Sequence, residues 1–404
     1  MKCRVCDSTN LEMVIDLGLQ PWGNNFLKKE EVGSEPFYPL RVLFCNDCST
    51  SQLDYTVKKE IMFGDHTYLS GVTKSLSAHF KRIAIQVDDL FCKNKPKKTV
   101  LDIGSNDGTQ LQHFKELGYS VTGVESSKTT SEIANKSGIN TINDYFNYEL
   151  VKKNNLLNKF DIINASGVFF HLEELHSVTK GIKASLKKNG VFVVQFLYMK
   201  NIIENNAFDQ IYHEHLLYYT LKTIEILLNR HDLSMFDAYV DEIHGGSVIG
   251  YVTHKGRLKP SERLSKLRED ENFKNINDKQ TYLEFYERTK KMKRENIDFL
   301  EKAKKQGKTI YGMGAPVKGN TMLNYFGIDT KYIDYLVEIN KLRKNLFSPG
   351  SHIPIVIEEE LDNQPDIYFV FAWNFKKEIL EKNKELIESG VEFYFPVNPE
   401  KNKQ

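Results

Sequence analysis

Residues 97–127, KKTVLDIGSNDGTQLQHFKELGYSVTGVESS, restrict the fold of this chain more than any other stretch. A β-branched run from Thr99 to Ile103 enters a glycine-bearing loop. A helix is then expected from Thr109 to about Leu117, with Gly118 ending it and a second strand running to Glu125. Strand, tight turn, helix and a second strand closed by an acid make a βαβ unit with a ligand-binding turn. The alternation continues. FDIINASGVFFHL reads as a strand ending near His171 and NGVFVVQFLYM as another, with helices in TTSEIANKSG and HSVTKGIKASLKKNG. Such a chain builds a doubly wound, mostly parallel sheet, and its ligands sit at the carboxyl ends of the strands. Asn164, Ser166 and His171 fall at or just beyond such an end. On position alone, His171 suits a structural role as well as a functional one.

The turn selects among ligands. It is not Gly-x-Gly-x-x-Gly, and Asp102 and Asp107 would repel phosphates approaching the helix N-terminus. Carboxylates suit a cofactor bearing an ammonium and a sulfonium, and Glu125 is placed to accept both hydroxyls of a ribose. S-adenosylmethionine meets these demands, whereas NAD meets only the last. The candidate cofactor contacts are Asp102, Gly104, Asn106, Asp107, Gly108, Glu125 and Ser166. A βαβ unit without a ligand would leave the acidic loop unexplained.

Two Cys-x-x-Cys pairs, Cys3 with Cys6 and Cys45 with Cys48, bracket a first unit of short strands such as LRVLFC and SQLDYTV. Four thiolates presented from two tight turns suit tetrahedral zinc. Disulfides fit a cytosolic chain poorly, and a redox motif needs a single pair near a βαβ unit. Four protein ligands leave no open position, so the expected role is structural. Cys92, in LFCKNK, reads as a half-buried small residue.

Lys plus Arg number 55 against 54 Asp plus Glu, a formal net charge of +1, which argues against a nucleic-acid partner. No apolar run approaches the ~20 residues of a membrane helix. The opening MKCRVCDSTN lacks the apolar core of a secretory signal, so a cytoplasmic chain with no membrane partner is expected. Residues 256–306 are densely charged and read as one or two long solvated helices linking domains. KTIYGMGAPVKGNTMLNYFGI then repeats the strand, turn and helix order, IDYLVEIN adds a strand ending in Glu338 and Asn340, and PDIYFVFAWNF adds a third. The turn Gly312-Met313-Gly314, with Lys318, suits either a phosphate or strand-to-helix packing alone.

IYHEHLLYY, residues 211–219, gathers two histidines, a glutamate and three tyrosines. Adjacent residues rarely converge on one ion and this is not His-Glu-x-x-His, so a metal centre from His213, Glu214 and His215 is the weaker reading against acid–base chemistry. In a regular strand His213 and His215 would share a face. Thr220 is a good N-cap for the helix that follows. The signature is therefore expected to be an extended or turning segment at a helix entrance, above the sheet's carboxyl edge.

Taken together, CRVC…CNDC, LGLQPWGNNFL, VLDIGSNDGT, FDQIYHEHLLYYT followed by HGGSV, and GMGAPVKGNTMLNYFGI with PGSHIPI and AWNF resemble the three-domain sugar C-methyltransferases. These act on nucleotide-linked ketosugars in deoxysugar biosynthesis. The resemblance implies a zinc-binding domain over 1–62, a class I methyltransferase domain with connecting helices over 63–300, and a smaller Rossmann-like domain over 301–404. It implies S-adenosylmethionine as cofactor, one structural zinc ion and a nucleoside-diphosphate ketosugar in the cleft between the central and C-terminal domains. A monomeric chain is expected. Carried over residue by residue, the catalytic set is Tyr68, His171, Tyr212, Glu214 and His215, with His215 matching the general base. Lys318, Asn320 and His244 are the candidate substrate contacts. Gly71 stands where the family has a second tyrosine, and HGGSVIGY lacks the family's arginine. Both departures touch the sugar side, which keeps an O-methyltransferase in view, and a non-catalytic nucleotide-sugar binding protein is the remaining alternative.

Overall fold

The computed structural model describes residues 1–63 and 69–399, so Tyr68 lies outside the described residues. Thr99–Ile103 does enter a parallel sheet, as β4 (Lys98–Ile103), and it lies beside β5 (Tyr119–Glu125). Between them the helix Thr109–Glu116 ends one residue earlier than expected. With β6 (Thr141–Asn143), β7 (Phe160–Ser166), β8 (Leu186–Leu197), β10 (Leu233–Asp241) and β11 (Ser247–His254) the sheet has seven strands, in the order β10-β11-β8-β7-β4-β5-β6. All of its pairs are parallel except those of β11, which runs antiparallel to both β8 and β10. The chain order reverses across β4 and β7, which opens a crevice above their carboxyl ends.

Two strand limits differ from the sequence reading, for local reasons. β7 stops at Ser166 rather than near His171, because Gly167 takes φ +71° and the chain turns, with the His171 amide donating to the Val168 carbonyl. Leu186–Gly190 belongs to β8 rather than to the preceding helix, which ends at Ser185. Here pairing decides rather than pattern: Leu186 pairs with Phe160 of β7, and the lysine pair that follows it is carried into the strand.

The first unit contributes β1 (Leu11–Pro21), β2 (Phe37–Cys45) and β3 (Ser51–Leu53), of which β1 is not among the strands named from the sequence. Its fourth strand comes from far along the chain. β9 (Leu217–Tyr218), inside the signature segment, pairs antiparallel with β3. The four cysteine Sγ atoms lie within 4.8 Å of one another, with Cys3 to Cys48 at 3.5 Å and Cys6 to Cys45 at 3.6 Å. A disulfide would need about 2.05 Å. A tetrahedral zinc with bonds of about 2.3 Å sets its sulfurs about 3.8 Å apart, so the thiol set fits that ion.

The C-terminal sheet is wholly parallel, in the order β14-β13-β12-β15-β16, from β12 (Ile310–Met313), β13 (Tyr335–Glu338), β14 (Ile355–Ile357), β15 (Ile367–Val370) and β16 (Glu392–Tyr394). A charged helix, Lys279–Lys305, buries Tyr282, Phe285, Thr289, Met292, Asn296, Leu300 and Ala303 at three- and four-residue spacing. It ties the three sheets together. The Tyr286 hydroxyl donates to the Asp16 carbonyl at 2.6 Å, Arg288 Nε to Asn206 Oδ1 at 2.7 Å, and Asn296 Nδ2 to the Pro396 carbonyl at 2.9 Å. Its partner, Glu262–Phe273, makes the second of the two helices. Among the described residues no helix is long and apolar enough to cross a membrane.

Elemental analysis of the reduced protein should find about one zinc per chain. Cys45→Ser should lower the thermal midpoint and expose residues of β1–β3 to hydrogen exchange while cofactor affinity survives. A fully folded, metal-free protein would overturn the assignment.

Candidate active site

A cavity of ≈990 Å³ lies above the crevice, at the upper end of the range for ligand sites and large enough for more than one small molecule. All three parts of the chain line it. Trp22 and Phe26 come from the first, Gly104, Glu125, Ser166, His171, Tyr212 and His215 from the second, and Lys318, Asn340 and Arg343 from the third.

One end is a shelf made by the β4 turn. Gly104 takes φ +69°, and a Cβ there would meet Val168 Cγ2 at 2.6 Å, so only glycine keeps the shelf open. Glu125 is 4% exposed. Its two oxygens accept the Asn106 and Ser127 backbone N–H groups, each at 2.8 Å, which holds the carboxylate rigid at the cavity wall. Each carboxylate oxygen can accept more than one hydrogen bond, so the group keeps capacity for a ribose diol. Ser166 lines the same end, and its hydroxyl accepts from Asn164 Nδ2 at 3.2 Å.

Of the other predicted cofactor residues, Asn106 also lines the cavity, whereas Asp102, Asp107 and Gly108 are not part of its lining. Asp102 is buried in β4, where Asn164 Nδ2 donates to it at 2.9 Å, and burial raises its carboxyl to about 7. Asn106 Oδ1 and Asp107 Oδ2 accept the backbone N–H groups of Ser70 and Gly71 at 2.9 and 2.8 Å. Gly108, at φ +80°, packs against Ile139. The loop acids thus dock the segment around residue 70 onto the turn. A Cβ on Gly71 would meet Thr109 Oγ1 at 2.6 Å, so a larger residue there would require the neighbouring side chains to shift.

The signature segment brings the reactive groups together. The His215 Nδ1–H donates to the Gln210 carbonyl at 2.7 Å, and the His171 Nδ1–H donates to the Glu214 carbonyl at 2.5 Å. A carbonyl only accepts, so in the neutral rings both Nε2 atoms carry the lone pair. The ring centroids lie 5.2 Å apart, and Tyr212 packs over His215 at 3.9 Å. Trp22 Nε1 donates to Glu214 Oε1 at 2.8 Å. His213 faces the opposite way. It is 1% exposed, its ring edge meets Tyr38 of β2 at 5.8 Å, and desolvation lowers its pKa to about 4. Thr220 caps the next helix, its hydroxyl accepting the Thr223 N–H.

The predicted substrate residues separate. Lys318 lines the cavity, donating to Asn374 Oδ1 at 2.7 Å. Asn320 is buried and donates to the Gly23 carbonyl at 2.6 Å, joining the C-terminal helix Val317–Phe326 to the first unit. His244 belongs to the turn Ile243–Gly245. A Cβ on Gly312 would meet Leu336 Cδ2 at 2.5 Å, so that glycine serves strand packing. Cavity residues that the sequence did not mark as site residues include Trp22, Arg343 (bound to Glu338 Oε2 at 3.0 Å) and Gln195. Gln195 had a signal, as the polar residue inside the apolar strand VFVVQFL.

Three family models match consecutive stretches of the chain: "Putative zinc binding domain" over residues 3–63, "Methyltransferase domain" over 76–237 and "C-methyltransferase C-terminal domain" over 242–398. C-methyltransferase NovU of Streptomyces niveus is 29% identical over 98% of this chain and 95% of its own length. Among solved structures, the PH0226 protein of Pyrococcus horikoshii OT3 aligns with a TM-score of 0.38 and 16% identity, covering 49% of this chain and all of its own. The plantazolicin methyltransferase BpumL aligns with 0.35 and 17%, covering 44% of this chain and 83% of its own. The seven-stranded sheet with its single reversed strand, the open glycine turn and the acid closing β5 define a class I, S-adenosylmethionine-dependent methyltransferase. The chain belongs to the three-domain C-methyltransferase family, which adds the four-cysteine zinc-binding domain and the C-terminal domain to that core.

Glu125→Ala should weaken S-adenosylmethionine by roughly 1.5–3 kcal/mol in calorimetry, the scale of charge-assisted hydrogen bonds. His213 gives a pH signature. Its folded pKa is depressed, so its contribution to stability is present above about 6.5 and is lost as pH falls toward about 4. Across that window the loss should reach about 3 kcal/mol. Chemical denaturation between pH 4 and 7 should show this slope in the wild type and a flatter one in His213→Phe. Equal slopes would place the acid-sensitive group elsewhere.

Proposed function

We propose that the chain methylates a carbon next to the ketone of a nucleoside-diphosphate ketosugar, with His215 as the base. The observation that carries this reading is the His215 tautomer. Its Nδ1–H is committed to the Gln210 carbonyl, which leaves Nε2 as the basic nitrogen of a ring that lines the cavity shared with the cofactor shelf. S-adenosylmethionine, when bound, supplies an electrophilic methyl group on sulfur. A ketone acidifies the neighbouring C–H only modestly, so the base must be positioned and the enolate oxygen needs donors. His215 takes the proton onto Nε2, and Tyr212, stacked on it, offers a phenolic O–H to the oxygen that gains charge. The enolate carbon would then form a bond to the methyl as the methyl–sulfur bond breaks, leaving S-adenosylhomocysteine.

Glu214 is held by Trp22 Nε1 and suits a sugar hydroxyl, with the first unit fixing its direction. His171 shares the wall with His215 and is the reserve candidate for the base. At the far end, Lys318 and Arg343 supply cations for a diphosphate, and Asn340 adds an amide. Glu125, Gly104 and Ser166 form the contacts proposed for the cofactor's adenosine end. The C-methyltransferase C-terminal domain favours carbon over oxygen as the acceptor, and the methyltransferase assignment sets aside a binding-only role.

His215→Ala should cut turnover by about two to four powers of ten, the usual worth of a positioned base, with S-adenosylmethionine affinity nearly unchanged. Exchange of the sugar's α-proton with deuterated solvent, measured with S-adenosylhomocysteine in place of the donor, should vanish with the same substitution. Undiminished exchange would hand the base to His171 or Glu214.

A further inference from the structure

The direction of Gln195, a cavity residue, is set by a chain of polar contacts that runs through His79 to the ion pair of Arg82 and Asp241. It sits near the carboxyl end of β8, in register with Ser166 of β7, and is 3% exposed. Its Oε1 lies 2.9 Å from His79 Nε2, on the helix Lys74–Val87. On the other side of that imidazole, Arg82 NH2 lies 3.0 Å from His79 Nδ1 and also contacts Asp241 Oδ2 at 2.5 Å. A guanidinium has only donors, so Nδ1 must accept from it. The imidazole is 3% exposed, and burial lowers its pKa despite the opposing effects of Gln195 and of Asp241, whose Oδ1 lies 3.6 Å from Nδ1, so the ring is neutral. A neutral ring that accepts at Nδ1 donates at Nε2. Gln195 Oε1 is therefore the acceptor, and its NH₂ is the group left for the cavity. That nitrogen has no hydrogen-bond partner among the described residues, and the side chain lines the cavity between the Gly104 shelf and the His215 ring.

We propose that Gln195 is a catalytic hydrogen-bond donor to the substrate's carbonyl oxygen as it becomes an enolate, and that His79 and Arg82 are positioning residues that keep its NH₂ turned inward. This rests on the ketosugar reading. With Tyr212 it makes a two-donor hole, and an amide is suited to it because it cannot lose its proton to the base. Without the His79 donor the amide would be free to rotate and present its oxygen to a developing negative charge. An isolated polar residue in the run VFVVQFL, buried beside a histidine fixed by an ion pair, is costly unless it serves the ligand.

The test uses the full-length zinc-bound protein with the ketosugar nucleotide that the wild type turns over fastest. Gln195→Ala and Gln195→Glu should each lower kcat about 10²-fold, the scale of one lost oxyanion donor, with S-adenosylmethionine affinity unchanged. Gln195→Glu keeps the shape and the His79 contact but supplies only acceptors, so it should be at least as damaging as alanine. His79→Ala should lower kcat about tenfold, and the pair His79→Ala/Gln195→Ala should be no slower than Gln195→Ala alone. That non-additivity separates orientation from general loosening of the fold. Wild-type kcat in Gln195→Glu, or additive losses in the pair, would overturn the proposal while leaving the base and the substrate class standing. A wild type that turns over no ketosugar would instead overturn the substrate reading, and this proposal with it.

Discussion

The backbone of residues 210–218 is the constraint on which the site depends. The Leu216 amide donates to the Phe170 carbonyl at 2.8 Å, the Leu53 amide donates back to the Leu216 carbonyl at 3.0 Å, and β9 pairs with β3. The segment is thereby clamped between the loop after β7 and the sheet of the zinc-binding domain. Only a segment held this way can aim the Gln210 and Glu214 carbonyls at two imidazoles and so set which nitrogen of each ring is basic. A carbonyl costs nothing to protonation chemistry, whereas a carboxylate in its place would raise the pKa of the ring it holds.

This gives the four-cysteine zinc-binding site a structural reason to exist in a methyltransferase. A short antiparallel sheet with a small core is marginal alone, and a closed four-thiolate site makes it rigid. The sheet then supplies three things to the cavity: a pairing partner for β9, a pocket for His213, and Trp22 as donor to Glu214. The C-terminal domain is held in the same frame. Glu35, from the first unit, accepts from the Gly350 amide at 2.9 Å and from His352 Nε2 at 2.6 Å, and Asp209, just before the signature, accepts from Trp373 Nε1 at 2.8 Å.

The two glycine turns are built alike and carry different burdens. Glu125 closes β5 and accepts the Asn106 amide, and Glu338 closes β13 and accepts the Ala315 amide at 3.1 Å. Glu338 is further committed to Arg343 at 3.0 Å, whereas Glu125 stands at the cavity wall. One acid lines the cavity, and its counterpart holds a cation that itself reaches the cavity. The same grammar in sequence therefore leads to two kinds of surface.

Local order was legible in the sequence. The βαβ unit around Gly104, the helix after Thr220, the paired cysteines and the inward trio Tyr212, Glu214 and His215 follow from periodicity, turn chemistry, ligand spacing and a whole-chain resemblance, because these depend on neighbours in the chain or on residues kept together as motifs. What tertiary structure decided concerns pairs far apart in sequence. That Asp102 accepts from Asn164 and Asp107 from the Gly71 amide could not be read from the loop that carries them. Asn320 looked like a substrate contact and instead holds the Gly23 carbonyl. β9 joins a sheet begun more than 160 residues earlier. Residue type states which hydrogen bonds a side chain is able to make. Which of them it does make depends on what the fold brings within about 3 Å, and no local pattern encodes that distance.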